Sequence, residues 1–512
     1  MTTHSSLSAR ARAAFVSLVS MLAVATLSVP AHAQTPAPPA PAPAPAAGPK
    51  PIALGNGVVF STAIRSRTYA WDWFGDDPGG DYTYQGTQVR FGITQTKKKY
   101  DLQLEFEVPF MIALPDDAVK PPPQGQLGLG ANYYAANSNS QNPIGFFLKQ
   151  GTIRFKGIGG SAASSLKIGR FEFNDGLEMT PRHATLATLN RDRISQRILG
   201  NFGFTDVLRS LDGVHYVYSS PKTNVTALAV RPTEGVFQVN GWPELDINVF
   251  YASLTKQAGT ERNPNQWRVF GMGYHDYRDN VVKTDNRPAL VRNGDHESIA
   301  IATFGGNLLQ IASTRTGPVD ILLWGLAQTG SWGTQSHRAG ALAAEIGWQP
   351  AVLPKLKPWF RFGYGSSSGD GNPNDDAHTT FMQMLPTARI YARTPFYGLM
   401  NLTDIFGSVI VRPSPRLTVR GDLRSLHLTE GADLWYAGGG AFQPTNFGFS
   451  GRPSNGHTDL AQLYDVQGDY TFNPHLALAL YFGYGHNGAV TRAIFPQDTA
   501  IHLFFAEWNV RF

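Results

Sequence analysis

Charged side chains recur two residues apart along strand-length stretches of this chain, the spacing that puts them on one face of a β-strand. Arg420, Asp422 and Arg424 are the clearest case, a carboxylate between two guanidiniums on one face. A guanidinium fork binds carboxylates through paired hydrogen bonds, and rings of arginine select anionic solutes. The chemistry open to such a row is reversible anion binding. Similar faces carry the bases Arg90, Arg154, Lys156 and Arg361, and the acids Glu105, Glu107, Asp246, Asp465, Asp469 and Glu507. For each arginine the competing reading is a mutually neutralising pair that only satisfies charge held away from water.

Other chemistries find less support. With no cysteine in 512 residues, disulfides and thiolate metal sites are excluded. The run Asp370 to Asp376 suggests a calcium loop, but its sixth position is Asp375 rather than Gly and its twelfth is Phe381 rather than Glu, so it reads as a solvated loop. His296-Glu297 lacks the second histidine of a zinc protease helix. Ser425 and His427 share a strand face, a spacing common enough to be incidental. The net charge of +5 falls by two without Arg10 and Arg12, leaving no case for nucleic acid.

The elements that must carry these rows are strands. Leu102, Leu104, Phe106, Val108, Phe110 and Ile112 alternate with Gln103, Glu105 and Glu107, and Val89, Phe91 and Ile93 with Gln88, Arg90 and Thr94. The period returns in Leu245, Ile247, Val249 and Tyr251 against Asp246 and Asn248. Each run is about ten residues, the length of a tilted strand crossing a bilayer. No stretch after residue 34 offers the ~20 apolar residues of a spanning helix, so any crossing uses strands. Eighteen are expected, near 57–72, 82–96, 99–112, 145–157, 164–174, 210–219, 223–231, 244–256, 265–278, 296–313, 318–330, 335–349, 355–365, 404–412, 416–428, 459–472, 475–487 and 500–512. Tight turns near 97–99, 219–222, 413–415 and 473–474 alternate with long loops near 113–144, 175–209, 366–403 and 429–458, as in a barrel with one rim of turns and one of loops.

The fold class is therefore all-β, a transmembrane antiparallel up-and-down barrel. Lipid supplies no hydrogen-bond partners, so the ladder must close on itself, and 16 to 18 strands enclose an aqueous channel. The inward positions then line a lumen. Residues 1–33 read as a signal peptide cleaved near Ala33, residues 34–56 as a Pro/Ala-rich periplasmic linker, and residues 57–512 as the barrel. In the last strand His502, Phe504, Ala506, Trp508, Val510 and Phe512 alternate with Leu503, Phe505, Glu507, Asn509 and Arg511. A terminal Phe512 closing such a strand is a signature of bacterial outer-membrane barrels, read by their assembly machinery. The helix-like piece Leu189 to Leu199 sits inside a long loop and reads as a lid or constriction, or equally as an amphipathic surface segment.

Over most of residues 57–512 the chain resembles the alginate export family. The resemblance rests on Ile168-Gly169-Arg170, Leu211-Asp212-Gly213-Val214, Ser368-Gly369-Asp370, Thr380-Phe381, Leu385-Pro386, Tyr397-Gly398-Leu399-Met400, Arg412-Pro413 and Arg416-Leu417, in that order. It implies a monomeric eighteen-stranded channel that passively exports an anionic uronate polysaccharide through an arginine-rich constriction, without cofactor or covalent chemistry. Arg170 joins the expected track of Arg90, Arg154, Arg361, Arg420, Asp422 and Arg424, with Asp212 and Asp370 as motif residues. The expected partners are the polysaccharide, outer-membrane lipid, the secretion and barrel-assembly machineries and a periplasmic polysaccharide-secretion complex. The alternatives are a porin for small anionic solutes, a lipid hydrolase using Ser425 and His427 at the lipid rim, and a purely structural barrel.

Overall fold

The computed structural model describes residues 50–74, 79–195, 197–386, 393–497 and 500–512. The signal peptide and most of the expected linker lie outside the described residues. Eighteen long antiparallel strands form one closed sheet. They are β1 (Val58–Asp72), β2 (Asp81–Thr96), β3 (Tyr100–Ile112), β4 (Phe147–Lys156), β5 (Ser164–Phe171), β6 (Leu211–Ser219), β7 (Thr223–Pro232), β8 (Ile247–Gly259) and β9 (Pro264–Asp276). The circle continues with β10 (Ile299–Thr314), β11 (Gly317–Trp332), β12 (Gln335–Trp348), β13 (Trp359–Ser367), β14 (Leu402–Ser414), β15 (Leu417–Leu428), β16 (Asp459–Asn473), β17 (Leu476–Asn487) and β18 (Ala500–Arg511). Pairing of β1 with β18, from Ala63↔Arg511 to Asp72↔His502, closes it and leaves no edge.

One end of the expected linker is corrected. Ile52–Gly55 is a strand folded back on β1, with Ile52 opposite Phe60. The turn is made by Gly55, Asn56 and Gly57, all at positive φ, a conformation glycine and asparagine adopt most readily.

Burial along the strands is inverted relative to a soluble sheet. On β10 Phe304 is 63% exposed while its neighbour Thr303 is fully buried, and on β8 Phe250 is 57% exposed while Ser253 is buried. An apolar exterior over a polar interior is what a strand needs in hydrocarbon. The alternation at β8 corrects the expected inward set: Ile247, Val249 and Tyr251 are buried on the lumen side, and Asp246 points outward to pair with Arg231 at 2.6 Å. Hydrophobicity misassigns the face here because the lumen beside β8 is packed with apolar loop residues, so both faces are greasy.

The strand termini nearest both barrel ends share a rim with the turns 97–99, 220–222, 315–316 and 415–416. At the opposite rim lie the long loops 113–146, 172–210, 233–246, 277–298, 368–401 and 429–458. These loops fold into the barrel. Phe202, Phe237, Phe396, Trp435 and Phe442 pack into one buried cluster with inward β1 and β18 residues such as Tyr69 and Phe505. Ile198, Leu199, Met382, Met384 and Leu385 pack into another against β8 and β9. The loop rim therefore carries a packed plug with its own short elements, α1 (Leu129–Ala136), α2 (Ala184–Leu189) and a hairpin of Leu434–Gly438 with Phe449–Pro453. At Gly86 a Cβ would stand 2.3 Å from the Asp206 carboxylate, so the missing side chain is what lets the loop acid lie against the wall.

Candidate functional site

Strand alternation brings Arg90, Arg154, Arg361, Arg420, Asp422 and Arg424 to the lumen side, and each arginine meets a carboxylate there. Arg90 pairs with Glu105 and, at 2.8 Å, with Glu172 from the 172–210 loop. Arg154 and Lys156 both hold Asp101 near the turn rim. Arg361 bridges Asp320 and Glu345. Arg424, fully buried, reaches Asp404 at 2.5 Å and Asp422 at 3.7 Å. The acids follow suit: Glu107 accepts from Gln88, Asp465 from Tyr481, Asp469 from Gln467, and Glu507 pairs with Arg67. Most of the wall is thus neutralised pair by pair, which offsets the cost of holding charge at low dielectric.

Arg170 and Asp212 do not belong to this lining. They pair at 2.5 Å on the outer wall, on the face shared with the exposed Ile168 and Val214, and Arg170 also donates to the carbonyls of Gly241 and Trp242. The opposite face of β5 carries Phe171, which packs inward. The pair fastens the 233–246 loop to the barrel exterior. Asp370 is likewise a loop residue: its N–H donates to Asp433 at 2.9 Å and its carboxylate accepts from the Asn372 N–H. Burial, with Asp433, Asp375 and Asp285 nearby, pushes its pKa up to about 6.

The 172–210 loop brings further charge against the inner wall. The helical piece runs as α2, earlier than expected, then as a single wide turn Asn190–Ile194, and Ser195 leaves helical geometry. Side-chain pairing decides the change. Arg193 donates to Glu345 of β12 at 2.8 Å and Arg197 reaches the same carboxylate at 3.4 Å. Leu186, Leu189 and Ile194 pack against Trp324, Trp359 and Ile410 of the wall. The segment therefore packs inside the barrel and is not a surface helix.

Beside it lies a cationic collar. Asp192 binds Arg191 at 2.6 Å and Arg420 at 3.2 Å, and Arg412 of β14 acts electrostatically on the same groups while stacking over Trp359 at 5.6 Å. Arg191 has half its side chain exposed to the lumen. Asp469 also acts on Arg191, so three guanidiniums face two carboxylates and leave one positive charge in excess on the turn-rim side. Sequence reasoning placed Arg420 but missed Arg191 and Arg412. The readable signal was the arginine-rich run 191–197 inside a loop segment read as a lid or constriction, or equally as an amphipathic surface segment.

Ser425 and His427 also come together, Oγ to Nε2 at 2.9 Å, on the outer face near the loop rim. Asp459 stands 3.9 Å from Nδ1, beyond hydrogen-bond reach, so no relay is assembled. The run Gly365 to Gly369 matches a nucleophile-elbow pattern, yet Ser367 is buried with its hydroxyl bonded to the Leu399 carbonyl.

An apolar-coated, closed cylinder with a charged interior and inward-folded loops defines an outer-membrane channel. The chain belongs to the alginate export family, whose model matches residues 144–498. No curated protein matches it by sequence. Among solved structures it is similar to a BenF-like porin from Pseudomonas fluorescens Pf-5, with a TM-score of 0.54 and 7% identity over 89% of this chain and 99% of that one. It is also similar to OccK9 (OpdG) of Pseudomonas aeruginosa, with a TM-score of 0.53 and 10% identity over 89% and 98%. OpdK of Pseudomonas aeruginosa, solved with vanillate, gives 0.51 and 11% over 88% and 99%. At these identities the likeness is one of fold.

Proposed function

We propose that the barrel, secreted by a cleaved signal peptide and inserted as a monomer into a Gram-negative outer membrane, passively exports an anionic uronate polysaccharide. The collar of Arg191, Arg412 and Arg420 carries this reading: on the turn rim, the periplasmic side of such barrels, it would be the first strongly cationic ring an outgoing chain meets. Carboxylates repeated along a polymer can step between such weak sites, bound firmly enough to enter and loosely enough to leave. Membership of the alginate export family supports the same substrate class. A periplasmic polysaccharide-secretion complex would deliver the chain.

In a planar bilayer, uronate oligomers added from the turn-rim side should block the current, with block deepening as the oligomer lengthens. Arg412→Glu with Arg420→Glu should relieve it by ten-fold or more in concentration. Unchanged block in the double variant overturns the collar. Arg424 is a poor choice for this test, since it is buried between Asp404 and Asp422 and its reversal would disturb the wall.

A second reading, diffusion of small anionic solutes, is favoured by one observation: the loop rim is filled by packed side chains around limited cavities. It predicts anion preference with no dependence of block on oligomer length.

A further inference from the structure

The loops of the plug line a partly open cavity of about 170 Å³. Its wall is aromatic and amide-bearing, with Trp73, Phe204, Phe237, Tyr397, Gln443 and Asn446. Among the described residues a single charged side chain lines it, Arg452 of the 434–453 hairpin. Arg452 is 4% exposed, and its Nε and Nη2 donate to the backbone carbonyls of Gln124 at 2.9 Å and Gln126 at 2.8 Å. The guanidinium lies 4.8 Å from the Trp435 ring and 5.7 Å from that of Trp73. Trp73 is itself buried, and its indole Nε1 has no hydrogen-bond partner among the described residues.

Arg67, Arg193, Arg268, Arg361 and Arg424 are buried as deeply, and each meets a carboxylate, whereas Arg209 is held by the backbone carbonyls of Gly439 and Ala441. Arg452 meets none among the described residues, and burial alone pulls its pKa down to about 10. A buried cation without a counter-ion is costly, and a cavity at its side gives an anion room to supply one. One cation matches one negative charge. Flat rings on several sides match a planar apolar ring better than a pyranose, whose hydroxyls would lose water against ring faces. The amides offer partners to polar substituents on that ring.

We propose that this cavity binds a small aromatic monocarboxylate, its carboxylate held by Arg452 with the Trp73 indole N–H beside it and its ring among Phe204, Phe237 and Tyr397. The site deepens the small-anion reading above and rests on it for the solute's onward passage, while binding itself is measurable apart from transport.

The test uses the full-length barrel in detergent, titrated with benzoate and followed by tryptophan fluorescence and calorimetry. Glucuronate tests the charge without the flat ring, and benzyl alcohol the ring without the charge. Benzoate should bind saturably and at least ten-fold more tightly than either control. Arg452→Gln should weaken benzoate at least ten-fold, and Arg452→Lys should retain part of the affinity. Trp73→Phe, which keeps a ring and removes the N–H, should weaken it several-fold even if the Gln variant loses the heat-resistant barrel band on a gel. Absence of saturable benzoate binding, equal affinity in Arg452→Gln and Trp73→Phe, or glucuronate binding as tightly as benzoate overturns the site. Bilayer conductance measured in parallel separates the two claims: a barrel that conducts anions without binding benzoate loses this site and keeps the channel, and one that binds benzoate without conducting loses the channel alone.

Discussion

Arg420 of β15 and Asp192 of the 172–210 loop, 228 residues apart in sequence, meet at 3.2 Å inside the barrel. The contact ties a loop to the wall and sets the charge of the lumen, since Asp192 also holds Arg191. Asp192→Asn should therefore leave the collar more cationic. The expected outcome is a several-fold rise in anion-over-cation permeability, read from the reversal potential across a salt gradient, with the barrel band on a gel unchanged.

Glu345 is the partner shared by Arg193, Arg197 and Arg361. Removing one member of a buried ion pair typically costs about 3–5 kcal/mol, because the charges left behind lose their compensation. In Glu345→Gln the loop segment should detach from β12. Larger and noisier single-channel currents, together with faster proteolytic cleavage within 172–210, would register it; wild-type conductance and cleavage would show that the loop is held by its apolar contacts alone.

The Asp370 carboxyl, pushed up to about 6, makes the packing of the 368–401 and 429–458 loops pH-sensitive. A carboxylate whose folded pKa is raised contributes stability that is full below its unfolded value of ~3.9 and is lost as pH rises through about 6. Protease resistance of these loops should accordingly be greater at pH 5 than at pH 7.5. Asp370→Asn should flatten the difference, and a wild-type profile that does not change across this window would remove Asp370 as its source.

Phe512 completes the closure: its N–H donates to the Thr62 carbonyl at 2.9 Å and its carbonyl accepts from the Thr62 N–H at 3.2 Å. Its ring is half-exposed on the outer face. As an assembly signal, Phe512→Ala should lower the amount of folded barrel in the outer membrane several-fold. The current of those barrels that do assemble should stay as in wild type, since the ring faces away from the lumen.

Arg170 and Asp212 pin the 233–246 loop from outside, so Arg170→Ala should leave ion selectivity unaltered. The effect should appear as faster proteolysis near Trp242. A shift in reversal potential would instead place the guanidinium's influence inside the lumen.

Local patterns along the chain were enough to read the barrel. Period-two alternation, the rhythm of turns and loops and the terminal Phe512 are local signals, and closure follows because lipid leaves no backbone group unpaired. These patterns also placed Arg90, Arg361, Arg420 and Arg424 on the lumen face, since two-residue spacing fixes a shared side. Which face of β5 and β8 turns inward was decided by the tertiary structure. There the loops filling the lumen make the inner surface as apolar as the outer, and alternation loses its contrast; Asp246 was misplaced for that reason, whereas Arg170 was placed by the family resemblance, which carries no information on the face it takes in this barrel. Whether an arginine stands free or neutralised was also beyond local reading. The partners of Arg361, Arg420 and Arg90 come from strands and loops distant in sequence, and only folding brings Asp320, Asp192 and Glu172 within reach.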